Sequence, residues 1–401
     1  MRLKVFYGDT HIGNLDTTSK RGVVFSYTED AYAPISISMP DLSRAYTEKE
    51  CLPFFEGLLP EGEIRRQIAD FAHVPATSTI KLLEQYGADI AGALVITGEK
   101  EYESGEFGYA EITADEISKK ISQKSRIPMI LSGERIRLSL AGAENKIPVR
   151  YKEGRYYLPV GTAASSHIIK ATDEFVDNEF ICNRLAFHCG LDVPQMEVVD
   201  FSGKTALLIT RYDREVSPEG DVERLHQEDF CQALGVLSRK KYEENGGPGL
   251  RSSIALIQNN SEDPSKDMRS FIGITVFNYM IGNCDAHAKN YSFLYGKELK
   301  RKHLAPFYDI VCSSIYDQFD KSLAMRIGKE RELGRITRSD FESIASKKLV
   351  SDVIDRIVLL YDSAQNEVRN EIDVSMYPLL DKIVEDSIPR LKRLKSNRQL
   401  D

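Results

Sequence analysis

An apolar, helix-like run from Phe271 to Ile281 leads into the polar octapeptide Asn283-Cys284-Asp285-Ala286-His287-Ala288-Lys289-Asn290. That loop sets Asp285 and Asn290 five positions apart, and Phe307-Tyr308-Asp309 adds a second carboxylate, Asp309, 24 positions after the first. Phosphoryl transfer needs this layout. Its transition state spreads charge over phosphate oxygens, and the protein contributes mainly positioning and counter-charge. One carboxylate has to accept the proton of the incoming hydroxyl, while an amide and a second carboxylate hold magnesium, which prefers hard oxygen ligands. Asp285, Asn290 and Asp309 can fill those roles in that order. Protein kinases keep the same five-residue gap between the catalytic-loop Asp and its metal-binding Asn. The alternative is a polar loop whose Asp and Asn cap helices and turns.

The remainder of the chain narrows the choice. Its 401 residues, 42% hydrophobic and 28% charged, suffice for two or three buried cores. No run approaches the length of a membrane span, and Met1 to Phe6 lacks the apolar core of a signal peptide, so the chain is expected in the cytoplasm and off the membrane. Six cysteines without a CxxC pair predict neither zinc nor disulfides, and Cys284 reads as a buried loop thiol rather than a nucleophile. The net charge of −8 repels nucleic acid, so any approach to DNA needs a basic partner or a local patch. Arg390 to Lys395 is such a patch, although cations at a helix C-terminus explain it equally.

Taken in order, the pattern opens with alternating β runs at Leu3 to Tyr7 and Val23 to Tyr27. Cys51 to Ala72 has helical spacing interrupted by Pro53 and Pro60, which predicts two short helices. Thr79 to Tyr86 is a further helix stopped by Gly87, Gly92 to Thr97 a strand, and Thr113-Ala114-Asp115-Glu116 a capping box opening a helix to about Gln123. Glu174 to Cys189 is amphipathic, with Val176, Phe180, Ile181, Leu185 and His188 or Cys189 inward, and two strands follow at Met196 to Val199 and Ala206 to Arg211. From Gln227 onward the pattern is helical. A β-rich first half and a helical second half predict an α+β, two-lobed protein-kinase-like (phosphoinositide-kinase-like) fold with an all-helical C-terminal lobe. The domains are expected at 1–105, 106–235 and 236–401.

Three further stretches fit nucleotide binding. Ser139-Leu140-Ala141-Gly142-Ala143-Glu144-Asn145-Lys146 is a small-residue loop whose backbone N–H groups can close around phosphates, or else a plain hairpin lead-in. His167-Ile168-Ile169-Lys170 is a strand ending in a lysine that can act as a point charge on ATP phosphates, with Glu179 on the next helix placed to orient it by analogy with kinases. Thr210-Arg211-Tyr212 stands where a connecting segment reads adenine through its backbone.

Together these motifs resemble the HipA family, the serine/threonine kinase toxins of bacterial toxin–antitoxin modules. The likeness extends over nearly the whole chain: Phe55 to Gly62, Ser139 to Ala143, His167 to Lys170, Val176 to Glu179, Gln227 to Asp229, Gly246-Gly247-Pro248-Gly249, Asp285 to Asn290, and Pro306 to Asp309. The resemblance implies ATP and Mg2+ as cofactors, Asp285 as catalytic base, and Asn290 and Asp309 as metal ligands. It implies ATP contacts from Ala141, Gly142, Ala143, Glu144, Asn145, Lys146, Lys170, Thr210, Arg211, Tyr212, His287, Lys289 and Tyr308. Ser139 matches the serine that family members autophosphorylate, after which the loop is expelled; a dianionic phosphate inside a phosphate-binding loop is repelled from it. The implied partners are a HipB-like helix-turn-helix antitoxin, operator DNA reached mainly through it, and an aminoacyl-tRNA synthetase, such as glutamyl-tRNA synthetase, whose phosphorylation arrests growth. Glu144 and Asn145 depart from the family loop, which has Gln followed by an acidic residue there, and the segment after Met325 is shorter than in the best-known member. The alternatives are a small-molecule or lipid kinase of the same fold and a catalytically idle corepressor.

Overall fold

The computed structural model describes all residues except 19–21, 88–89, 99–106, 123–145, 162, 172–174 and 396–401. The fold mixes α and β structure in two compact units, neither of them continuous in sequence. The first takes in Met1–Asp173, Gln195–Arg239 and Phe293–Lys302; the second takes in Glu174–Pro194, Lys240–Ser292 and His303–Asp401. The expected boundary at 105 and 106 lies outside the described residues.

The first unit is built on two antiparallel sheets. In the first sheet Ala45–Tyr46, Gly22–Tyr27, Thr10–Thr18, Arg2–Tyr7 and Leu94–Gly98 are neighbours in that order. Alternation sets the faces, since Leu3 and Val5 are fully buried between more exposed neighbours. Thr10–Thr18 is a strand that its polar sequence did not announce. The second sheet runs Met196–Phe201, Lys204–Thr210, His167–Lys170, Lys146–Lys152, Arg155–Gly161 and Phe107–Ile112. Ile117, on the helix Ala114–Ser122, packs with Val149, Leu158, Ile169, Phe201 and Leu208 to close one face of it. The capping box of that helix forms as expected, with Thr113 N and Oγ1 both donating to Glu116 Oε2 at 2.8 and 2.9 Å.

The helices Glu48–Gly57 and Gly62–Phe71 realise the predicted pair. Their break falls at Pro60, while Pro53 sits inside the first of them. Thr79–Tyr86 ends at Gly87 as read.

The second unit is mostly helical. Pro264–Ile281 is buried at every position from Phe271 on and packs against Leu250–Asn260, Lys347–Glu371 and Tyr377–Lys395. Val176–His188 packs on Lys347–Glu371, with Val176, Ile181 and Leu185 inward as expected and Phe180 only half-buried. An all-helical C-terminal lobe is incorrect. Ser322–Ile327 and Glu330–Glu332 form an antiparallel hairpin in this unit, Ser292–Tyr295 within the expected lobe is a strand, and Gln227–Asp229 of the first unit, where the helical pattern was expected to begin, is a strand as well. A buried strand as short as Ser292-Phe293-Leu294-Tyr295 has no period that separates it from helix.

All six cysteines are buried free thiols. No described helix is long and apolar enough to cross a membrane.

Candidate active site

The second unit carries Asp285, Asn290 and Asp309. Helix Pro264–Ile281 starts cleanly because Asp263 Oδ1 accepts from Lys266 N at 3.0 Å and proline occupies the first turn. It stops at Gly282, whose φ of +72° turns the chain out of the helix. A Cβ there would lie 1.8 Å from Ser314 Oγ, so only glycine allows the approach of the segment 313–314. Ser314 N then donates to Gly282 O at 3.0 Å, and Cys284 N donates to Ser313 Oγ at 2.9 Å.

Beyond this turn the polar residues build the loop from within. Asn283 Nδ2 donates to Asn278 Oδ1 at 3.1 Å, and Asp285 N donates to Asn283 Oδ1 at 3.2 Å. His287 N donates to Asp285 O at 2.8 Å, and Ala288–Asn290 forms one 3-10 turn. His287, Lys289 and Asn290 are buried, whereas Asp285 is exposed. Burial pushes the Cys284 thiol up to about 11, against a nucleophilic role.

Asp309 has a left-handed backbone, φ +55°. Aspartate tolerates this region better than most residues, yet such a conformation costs about 1–3 kcal/mol and persists only where neighbours enforce it. Next to it, the Tyr308 hydroxyl donates to Lys289 O at 2.7 Å and lies 2.8 Å from Ser292 Oγ. Tyr308, expected at ATP, thus ties the Asp309 segment to the loop that carries Asp285 and Asn290. Asn290 and Asp309 offer an amide and a carboxylate oxygen from adjoining segments, a donor set that suits a hard divalent cation.

One residue escaped sequence reasoning. Tyr242 donates its hydroxyl to Asp285 Oδ1 at 2.7 Å, and its ring stands edge-on to His287 with centroids 5.1 Å apart. The sequence signal for it was the Gly246-Gly247-Pro248-Gly249 break just beyond. A Cβ on Gly247 would lie 1.9 Å from Lys240 O and 2.7 Å from Tyr242 O, so the glycine lets that loop close on itself.

Of the expected ATP contacts that are described, Lys146, Lys170, Thr210, Arg211 and Tyr212 lie in the first unit, and His287, Lys289 and Tyr308 in the second. Lys146 and Lys170 are directly opposite on neighbouring antiparallel strands, with Lys170 almost fully buried. His167 is half-buried and pushed down to about 4 by burial, with Nδ1 2.8 Å from Ser166 Oγ and Nε2 3.3 Å from Thr210 Oγ1. The Arg211 guanidinium is committed to Asp213, at 2.9 and 2.7 Å, and to Ser165 Oγ at 3.0 Å. Asp213 also accepts from Gly92 N at 3.1 Å and pairs with Arg214 at 2.8 Å. Burial alone would raise the Asp213 pKa, but the guanidiniums of Arg211 and Arg214 outweigh it and hold the carboxyl well below its usual range. Tyr212 donates its hydroxyl to Gln227 Oε1. Glu179, expected to orient Lys170, is buried on a helix of the second unit. Ser139, Ala141, Gly142, Ala143, Glu144 and Asn145 lie outside the described residues.

Comparison with known proteins adds an independent line. Residues 138–366 match the HipA-like C-terminal domain and residues 3–97 the HipA N-terminal domain. The Sinorhizobium fredii protein Y4mE is 33% identical over 387 residues, 92% of each chain. The serine/threonine-protein kinase toxin HipA of Shewanella oneidensis is 32% identical over 348 residues, covering 82% of this chain and 79% of the relative. Among solved structures, the Shewanella oneidensis HipA, HipB and operator DNA complex superposes with a TM-score of 0.87 at 27% identity, covering 100% of both chains.

Proposed function

This chain belongs to the HipA family, and on that premise we propose that it is an ATP-dependent kinase that phosphorylates a serine or threonine hydroxyl of a protein, serving as the toxin of a toxin–antitoxin pair. The observation that carries the reading is the catalytic loop: an exposed Asp285 on a hydrogen-bonded turn, with Asn290 buried five residues on and Asp309 held left-handed beside it. Asp285 takes the proton of the acceptor hydroxyl, the hydroxyl oxygen bonds to the γ-phosphorus, and the bridging bond to ADP breaks. Asn290 and Asp309 would hold Mg2+, which when bound neutralises charge on the phosphate oxygens. The lysine pair Lys146 and Lys170 binds phosphate, Ala141 to Asn145 completes the phosphate loop, and the backbone of Thr210 to Tyr212 faces the adenine.

By the same kinship, the partner is a HipB-like helix-turn-helix antitoxin that brings the complex to operator DNA. The acceptor is an aminoacyl-tRNA synthetase such as glutamyl-tRNA synthetase, and Ser139 is the autophosphorylated off switch. In this reading the domains are 1–105, 106–235 and 236–401.

Intact mass of the purified chain before and after incubation with Mg-ATP tests the core of this. The wild type gains one phosphate, while Asp285→Asn and Ser139→Ala gain none. A phosphate gained by Asp285→Asn at the wild-type rate removes Asp285 from the role of base.

A further inference from the structure

We propose that Tyr242 is a positioning residue for phosphoryl transfer, its hydroxyl holding the Asp285 carboxylate in the orientation that receives the acceptor's proton. The inference rests on the reading of Asp285 as base and adds to it a residue from a separate segment of the same unit.

Asp285 is exposed, and a free carboxylate on a two-torsion side chain visits several rotamers. A general base has to lie within hydrogen-bond reach of the proton it takes, and small misplacements slow a reaction steeply. Tyr242 removes that freedom. An ionised carboxylate only accepts, so the 2.7 Å contact is the phenol donating to Oδ1, which leaves Oδ2 for the acceptor hydroxyl.

The phenol is itself fixed by its surroundings. Tyr242 O accepts from Asn245 N and Gly247 N, both at 3.0 Å, in a turn where Gly246 has φ +79°. Glu243 Oε2 accepts from Arg326 N at 2.6 Å, and Glu244 pairs with Arg331 at 2.7 Å, tying the turn to the hairpin Ser322–Ile327 and Glu330–Glu332. Lys241 O accepts from Ala288 N at 3.4 Å, and the ring edge packs on His287. The Tyr242 turn and the catalytic loop are therefore joined by backbone, ring and hydroxyl. In the transfer step the acceptor O–H proton goes to Asp285 Oδ2, the new P–O bond forms as the bond to ADP breaks, and Tyr242 keeps its own proton.

Tyr242→Phe keeps the ring against His287 and deletes only the hydroxyl. The initial rate of phosphate gain by the chain is followed over a range of Mg-ATP concentrations for wild type, Tyr242→Phe and Asp285→Asn, with thermal melting of each. A hydrogen bond to an ionised group sets the scale of the effect. For Tyr242→Phe the expected result is a drop of about tenfold or more in kcat, with KM for ATP and the melting temperature unchanged. A merely structural residue would move the melting temperature or KM instead, and that outcome overturns the inference. Full kcat in Tyr242→Phe beside a dead Asp285→Asn overturns it too, while leaving Asp285 as base. Full kcat in Asp285→Asn overturns both.

Discussion

Glu228 gives the sharpest test of the energetics. Its side chain is completely buried in the first unit, where Oε1 accepts from Ile37 N at 2.9 Å and from the Tyr295 hydroxyl, and Oε2 accepts from Ser36 Oγ at 2.7 Å. Burial, the largest influence, pushes its pKa up to about 7 despite the downward pull of those hydrogen bonds. An unfolded glutamate titrates near 4.5. Between the two values the folded chain holds a proton that the unfolded chain releases, so this stability is complete below about pH 4.5 and lost as pH rises through about 7. At about 1.4 kcal/mol per pKa unit, the gap corresponds to about 3 kcal/mol. Glu228→Gln removes the titration and can keep the contacts: the amide oxygen still accepts from Ile37 and Tyr295. The amide N–H can donate to Ser36 Oγ, whose own proton turns to Ser38 Oγ 2.7 Å away. The buried His226, lowered to about 4 by desolvation, changes stability with the opposite sign in an overlapping window, so the difference between variant and wild type isolates Glu228. Urea unfolding of both proteins at about pH 5 and about pH 8 should show the variant gaining up to about 3 kcal/mol on the wild type at the higher pH. Equal pH slopes for the two proteins would refute the reasoning.

Three other perturbations test separate parts of the structure. Asp213→Ala takes the shared carboxylate from two buried guanidiniums and should cost about 3–5 kcal/mol in urea unfolding, whereas replacing Arg211, Asp213 and Arg214 together by apolar residues should cost much less. Gly282→Ala forces a left-handed alanine into contact with Ser314 Oγ; a loss of about 1–3 kcal/mol with slowed phosphate transfer is expected, and an unchanged melting curve would contradict it. Asp309→Asn suits the left-handed backbone as well as aspartate does, so its melting temperature should match the wild type while intact mass shows no phosphate gained.

What the sequence made legible was local. The helix starts at Thr113 and Thr79, the stop at Gly87 and the spacing of Asp285 to Asn290 are each written within a few residues, because caps and short loops act over one turn. The strand Thr10–Thr18 is not legible locally because Gly8-Asp9 and Asp16 are turn residues by type, and it forms because Arg2–Tyr7 and Gly22–Tyr27 pair on either side of it. The two discontinuous units were illegible for the same reason. The first unit reclaims Gln195–Arg239 and Phe293–Lys302 through contacts between distant segments, which no local pattern records.

The candidate site divides along the same line. Asp285, Asn290 and Asp309 could be nominated because spacing reflects the chemistry required of them, but what fixes them in place comes from elsewhere in the chain. Ser313 and Ser314 brace the loop's entry, Tyr308 braces its exit, and Tyr242 reaches Asp285 from 43 positions away. Each of these braces depends on a close approach or a hydroxyl whose purpose appears only once the segments meet. Candidates for a site's chemistry can therefore be nominated from a few residues in order, whereas preorganisation, on which rate depends, is a property of tertiary contact. It follows that variants at the bracing residues should lower kcat more than they weaken ATP binding, and Tyr242→Phe is the most direct of them because the hydroxyl it removes meets the Asp285 carboxylate itself.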